Sequence, residues 1–175
     1  MKSVEEQMSF YEAYHKHPLN KATHFIGIPA IVFSILIPLG WLGISVSGYP
    51  VTAAMLVIAG VLAYYYALDL VFGAAMTAVL LPLLWAAHQV AGWPMGQGAL
   101  VFVAFFVGGW IFQLVGHYVF EKRKPALLDN LFQMVVGPIF LCAELFFMLG
   151  FKEEMHQKVV ALSREHALPQ PAARQ

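Results

Sequence analysis

VTAAMLVIAGVLAYYYALDLVFGAAMTAVLLPLLWAAHQV, residues 51–90, is apolar for about twice the roughly 20 residues that one membrane crossing needs, and Asp69 is the only acid within it. It reads as two spans that reverse near Asp69 to Gly73, where a carboxylate and a glycine interrupt the run. The whole chain is 60% hydrophobic and 11% charged over 175 residues, a balance that soluble domains do not show. Apolar surface that a soluble fold of this size could not hide must face lipid instead.

Upstream, a first span is expected from His24 to Val46, with Gly27, Pro29 and Pro38 as tolerated kinks and Ser47, Gly48, Tyr49 and Pro50 as the following turn. Downstream, Gly92, Trp93, Pro94 and Gly96 make another turn. Leu100 to Phe120 is a fourth span, stopped by the polar run Glu121-Lys122-Arg123-Lys124-Pro125. Leu131 to Phe151 is a fifth apolar segment that Gly137, Pro138 and Glu144 make a doubtful straight crossing, so a re-entrant or bundle-packed segment is equally consistent. The expected fold is an all-α, polytopic integral membrane bundle of four to five membrane segments, with six as the upper reading. Its parts are an interfacial N-terminal segment over 1–22, a transmembrane helical catalytic domain over 23–151, and a polar C-terminal tail over 152–175 that frays after Leu168. Met1 to Lys21 carries Glu5, Glu6, His15 and His17 and lacks an apolar h-region, so the first span reads as a retained anchor rather than a cleaved signal.

Charge and cysteine usage exclude several classes. The formal net charge is zero, and Lys and Arg form no stripe with interleaved aromatics, so nucleic-acid binding has no electrostatic footprint. The single cysteine, Cys142, excludes an intrachain disulfide and a cysteine-ligated zinc site.

Basic residues flank two ends: Lys2, Lys16 and Lys21 before the first span, and Lys122, Arg123 and Lys124 after the fourth. The turns at 47–50 and 91–98 hold neither Lys nor Arg. The positive-inside rule puts both basic ends in the cytoplasm, separated by an even number of crossings. His15, His17, His24, Asp69, His117 and Glu121 then fall near one leaflet and His88 near the other. The expected location is the bacterial inner membrane, or the endoplasmic reticulum membrane in a eukaryote, with the site near the cytoplasmic leaflet.

Histidines at the edge of hydrocarbon need a partner, a proton or a metal. In Gln113-x-x-x-His117-x-x-x-Glu121 the four-residue steps put three side chains on one helical face, so His117 and Glu121 can address one ion with Gln113 as a supporting partner. The bland alternative is a packed His117 and a Glu121 paired with Arg123 or Lys124. In His15-x-His17-Pro18-x-Asn20-x-x-x-His24, Pro18 disfavours helix at His17, so a turn can bring His15 back toward His24. His17 is better read as solvated. Asp69 and Glu144 are weaker ligand candidates: Asp69 can instead accept from the neighbouring tyrosines, and a buried Glu144 can be a structural hydrogen-bonder. His88 and Trp85 read as interfacial anchors, His156 and His166 as solvated.

Two blocks carry a resemblance. Tyr11-x-x-Tyr14-His15-x-x-Pro18-x-Asn20-x-x-x-His24 with Gly27-Ile28-Pro29, and Trp110-Ile111-Phe112-Gln113-x-x-Gly116-His117-x-x-Phe120-Glu121-Lys122-Arg123-x-Pro125-Ala126-Leu127-x-Asp129-Asn130, resemble the Mpo-like family of membrane proteins from about Tyr11 to Phe151. The resemblance implies an iron(II)-dependent dioxygenase that shortens 2-hydroxy fatty acids by one carbon in an α-oxidation step, which in eukaryotes serves phytosphingosine breakdown. It implicates His15, His24 and His117, with Glu121 and Asn20 as companions, and leaves His17 free.

Imidazole and carboxylate ligands suit non-haem Fe(II), which can take a 2-hydroxy acid through its hydroxyl and carboxylate with O2 beside it. The expected metal ligands are His15, His24, His117 and Glu121, and the expected catalytic set is His15, Asn20, Gln113 and Glu121. The partners are the lipid bilayer, a long-chain 2-hydroxy fatty acid and O2. Two rivals remain: a non-catalytic membrane scaffold or transporter, in which these polar groups are packing glue or a translocation path, and another iron lipid hydroxylase, against which stands the lack of His-x-x-His-His boxes.

Overall fold

Ser3 opens the first helix with a capping box: its hydroxyl accepts from the Glu6 amide at 3.2 Å while the Glu6 carboxylate accepts from the Ser3 amide at 2.8 Å, which satisfies two otherwise orphaned donors. From there the computed structural model describes residues 3–166, and within them seven α-helices and one β-hairpin follow in order. The fraying expected after Leu168 lies outside the described residues. The chain divides into two compact units, Met1–Phe25 with Gln113–Gln175, and Ile26–Phe112.

In the first unit, α1 (Val4–Tyr14) buries Val4, Met8 and Tyr11, a spacing that lines one helical face. It packs against α6 (Gln133–Met148) and α7 (Glu153–Glu165). The acids and lysines of 152–175 conceal an amphipathic helix, since α7 buries Val159 and Ser163. His156 stacks on Phe147 at 4.6 Å and His166 meets the edge of Phe10 at 5.8 Å, so both have ring partners rather than water alone. α1 ends at His15 and α2 (Pro18–Trp41) starts at Pro18, where a missing N–H costs nothing. Pro29 and Pro38 remain inside α2.

In the second unit, the expected turn after the first span is a hairpin of β1 (Gly43–Val46) and β2 (Tyr49–Thr52). Its two loop residues, Ser47 and Gly48, have φ of 53° and 84°, the double left-handed geometry whose twist suits a two-residue hairpin. Thr52 then caps α3 (Ala53–Leu68). Asp69, extended at φ −161°, breaks the apolar run as expected and caps α4 (Leu70–Ala91), its Oδ1 accepting from the amides of Val71 and Phe72 at 2.9 Å each. The turn at Gly92 leads to α5 (Met95–Val115). Gly109 of α5 lies so near α2 that a Cβ would stand 2.7 Å from Ile31 Cγ1 and 3.0 Å from the Gly27 carbonyl, the close approach that small residues permit between membrane helices.

Among the described residues, three helices are long and apolar enough to cross a membrane: Pro18–Trp41, Leu70–Ala91 and Met95–Glu121. α3 and α6 have 16 residues each, about 24 Å at 1.5 Å per residue against a hydrocarbon core of about 30 Å. By length, then, three helices are candidate crossings, and the four to five membrane segments expected are not confirmed. The hairpin takes residues that the hydropathy reading had given to the first and second spans.

Candidate metal centre

Three helix ends meet in the first unit, and each delivers a histidine. His15 caps the C-terminus of α1, His24 lies two turns into α2, and His117 sits where α5 widens into a π-helical segment, Gly116–Glu121. Such bulges inside α-helices recur at functional sites. One glycine permits the junction: a Cβ at Gly116 would run into Asn20 Oδ1 and Thr23 Oγ1 and stand 3.3 Å from His24 Cε1. Only a residue without a side chain lets His117 reach His24.

The three rings are buried, at 1%, 2% and 2% exposure for His15, His24 and His117. His15 Nε2 lies 3.0 Å from His24 Nε2, which lies 3.2 Å from His117 Nε2. One ligand nitrogen from each of the three falls within 4.8 Å of the others. Two of the tautomers follow from the partners: His15 Nδ1 meets the Tyr11 carbonyl at 2.7 Å and His24 Nδ1 the Asn20 carbonyl at 2.8 Å. A carbonyl only accepts, so each Nδ1 carries the proton and each neutral Nε2 a lone pair. Two lone pairs facing at 3.0 Å repel unless a cation lies among them. Burial, with the neighbouring His24 and His117, holds the His15 pKa well below its ordinary value, which keeps the imidazole in its ligand form. The donor set therefore fits a divalent transition metal, and carbonyl-bound Nδ1–H groups are the usual support of metal-binding histidines.

Aromatic rings back this trio. Tyr11 stacks on His15 at 3.9 Å and 5°, and Phe140 lies 4.4 Å from Tyr11 and 6.0 Å from His15.

Glu121 stands apart from the three imidazoles. Its carboxylate accepts from the amides of Lys16 at 3.1 Å and His17 at 2.8 Å, and from Asn20 Nδ2 at 3.1 Å. The reason is the π-helical turn, which breaks the four-residue step that would have kept Glu121 on the His117 face. Instead it neutralises donors at the start of α2, a favourable place for an anion. Asn20 is fully buried, Gln113 is 7% exposed, and Asn20 Oδ1, Gln113 Nε2 and His117 Nδ1 have no hydrogen-bond partner among the described residues. His17 is exposed, its ring 5.8 Å from that of Phe120.

The weaker candidates go elsewhere. Asp69 caps α4 in the second unit, where His88 lines a cavity of about 340 Å³ with Trp41 and the hairpin. Glu144 is ion-paired: Lys21 Nζ donates to Glu144 Oε1 and to Glu12 Oε2, both at 2.8 Å. The sequence alone gives Glu12 no role, marks Lys21 only as a basic flank of the first span and Tyr11 only as part of the family motif. The available signal was the repeated charge-x-x-His spacing, Glu12 to His15 and Lys21 to His24, which sets a charged group one turn from each histidine.

A helical protein with membrane-length apolar helices and a buried three-histidine centre defines the class. The chain belongs to the Mpo1-like family, since the family model described as 2-hydroxy-palmitic acid dioxygenase Mpo1-like matches residues 1–149. It is 39% identical over 149 residues to the 2-hydroxy-palmitic acid dioxygenase MPO1 of Saccharomyces cerevisiae (strain ATCC 204508 / S288c), covering 85% of this chain and 82% of the yeast protein. No solved structure matches the chain.

Proposed function

We propose that the chain is a non-haem iron(II) dioxygenase that converts a long-chain 2-hydroxy fatty acid and O2 into the fatty acid one carbon shorter, carbon dioxide and water. The observation that carries this reading is the convergence of the His15, His24 and His117 Nε2 atoms with two Nδ1 protons pinned on carbonyls. The name of the yeast relative, a 2-hydroxy-palmitic acid dioxygenase, supports the substrate class. The oxidation balances without a cosubstrate: R–CH(OH)–COO⁻ and O2 contain every atom of R–COO⁻, CO2 and H2O, and the four electrons that O2 takes up come from the two carbons at the cleaved bond.

His15, His24 and His117 would hold the ion, and bound iron(II) would supply Lewis acidity toward the hydroxy acid and electrons toward O2. Tyr11 and Phe140 wall the trio and exclude water from it. Gln113 Nε2, a donor, and Asn20 Oδ1, an acceptor, are buried with no partner among the described residues; these two we assign to the substrate carboxylate and hydroxyl. Glu121 acts by position, because it ties the α1–α2 turn to the segment carrying His117.

The same contact supports a four-crossing topology over α2 to α5. His24 lies near the start of α2 and His117 at the end of α5, yet their nitrogens are 3.2 Å apart, so an even number of crossings separates them. With α2, α4 and α5 crossing, α3 must cross too, its short length met by thinning of the local bilayer. The basic residues at both ends favour the cytoplasmic side for the site.

Anaerobically purified protein should contain one iron per chain and turn over a long-chain 2-hydroxy acid with O2 consumption. The 3-hydroxy isomer and the unsubstituted acid should be poor substrates, because neither forms the same five-membered chelate. Equal turnover of the unsubstituted acid would point to a hydroxylase, and an iron-replete but inert protein to a scaffold or transporter.

A further inference from the structure

Beside the histidines lies a buried charge cluster to which the metal-centre reading gives no role. Lys21 Nζ bridges Glu12 and Glu144, and the three side chains are 19%, 14% and 10% exposed. Glu12 and Lys21 each lie one helical turn before a histidine of the trio. Phe140 sits 5.6 Å from Lys21 Nζ and 6.0 Å from the His15 ring. The Phe140 ring thus neighbours both the ammonium and the first imidazole, and the charge of Lys21 is felt at His15.

The composition of the cluster is unbalanced. Two carboxylates against one ammonium leave a negative charge in surplus, and burying an uncompensated charge is costly. Burial above all, opposed by Lys21 and reinforced by Glu144, raises the Glu12 pKa to about 7, so the surplus charge is complete only above that pH. A clamp between helices needs only one acid. The trio has the opposite imbalance: among the described residues it gathers three neutral imidazoles and no carboxylate, so a divalent ion there would carry two positive charges with no anion in contact.

We propose that Glu12–Lys21–Glu144 is the counter-charge of the three-histidine centre, its surplus negative charge raising the affinity of the trio for a divalent cation. The inference rests on the metal reading above. Neither acid touches the ion; both are positioning residues that act through the field, and Lys21 sets the size of the surplus.

The test is the sign of the charge change, read by Co(II) titration of the full chain in detergent micelles under anaerobic conditions, about one pH unit above the Glu12 pKa so that Glu12 is ionised, followed by visible absorption. Glu12→Gln and Glu144→Gln, which keep shape and hydrogen-bonding capacity, should each weaken Co(II) binding by about tenfold or more, as expected of one charge removed at this range. Lys21→Met should tighten it. The double variant Glu12→Gln/Lys21→Met restores the native net charge and should recover near wild-type affinity, although it lacks both bonds of the clamp. If Lys21→Met and the double variant bind as weakly as the single acid variants, the cluster is a clamp and the inference is overturned; unchanged affinity in Glu12→Gln overturns it as well. Failure of the wild-type chain to bind Co(II) would remove the metal reading itself, an outcome visible before any variant is compared.

Discussion

His24 Nε2 and His117 Nε2 face each other at 3.2 Å, although 93 residues of chain separate them. The approach depends on Gly116, whose missing Cβ leaves room for Asn20 and Thr23. Gly116→Ala should therefore abolish iron binding and destabilise the protein by about 1–3 kcal/mol, the usual range for overpacking. Gly108→Ala, where a Cβ meets nothing within 4 Å, should leave iron content and melting temperature unchanged. Elemental analysis and thermal unfolding of both variants check this.

His24→Ala and His117→Ala should each lose iron and activity, because two imidazoles hold a divalent ion weakly. His17→Ala, at an exposed position, and His88→Ala, in the other unit, should retain both. Full iron occupancy in His117→Ala would remove that residue from the ligand set.

Acid should destabilise the metal-free protein through His15. Its folded pKa lies well below the ordinary 6.5, so below pH 6.5 the unfolded chain binds the proton that the folded chain refuses. Stability from this residue is complete above that pH and falls as pH drops toward the folded value, at up to about 1.4 kcal/mol per pH unit. Melting temperatures of the metal-free wild type and His15→Gln, measured from about pH 8 to 5, should converge or cross on acidification. Parallel curves would contradict the neutral, buried His15.

On a Cys142→Ala background, cysteines at Lys16 and Lys124 should react with an impermeant thiol reagent from the same side of the membrane, and a cysteine at Gly96 from the other. Labelling of the first two positions from opposite sides would dismantle the even-crossing topology.

Much of the fold was legible because hydrocarbon imposes a simple rule: apolar residues in long runs, broken at Asp69 and at Gly92. That rule reports where helices lie in lipid, but not where a short amphipathic one packs on protein. By that rule the segment of α7 has the pattern of a polar tail, although Val159 and Ser163 are buried within it. The turn at 47–50 is legible but the strands around it are not, for a related reason: exposed Ile44 and Val46 in β1 look like the end of a span.

The sequence by itself determined a helical chain built for a membrane, the break of α1 before Pro18, and the three histidines that this break and the family pattern single out. These are local matters, set by hydropathy, by the proline ring and by residue identity. Only the tertiary structure decided which groups the carboxylates contact. Glu121 meets the amides of the α1–α2 turn because a π-helical segment changes its phase, and Glu144 reaches Lys21 from 123 residues away. A carboxylate binds whichever donor or cation lies nearest in space, and spacing along the chain does not record that distance once helices from far-apart segments pack together.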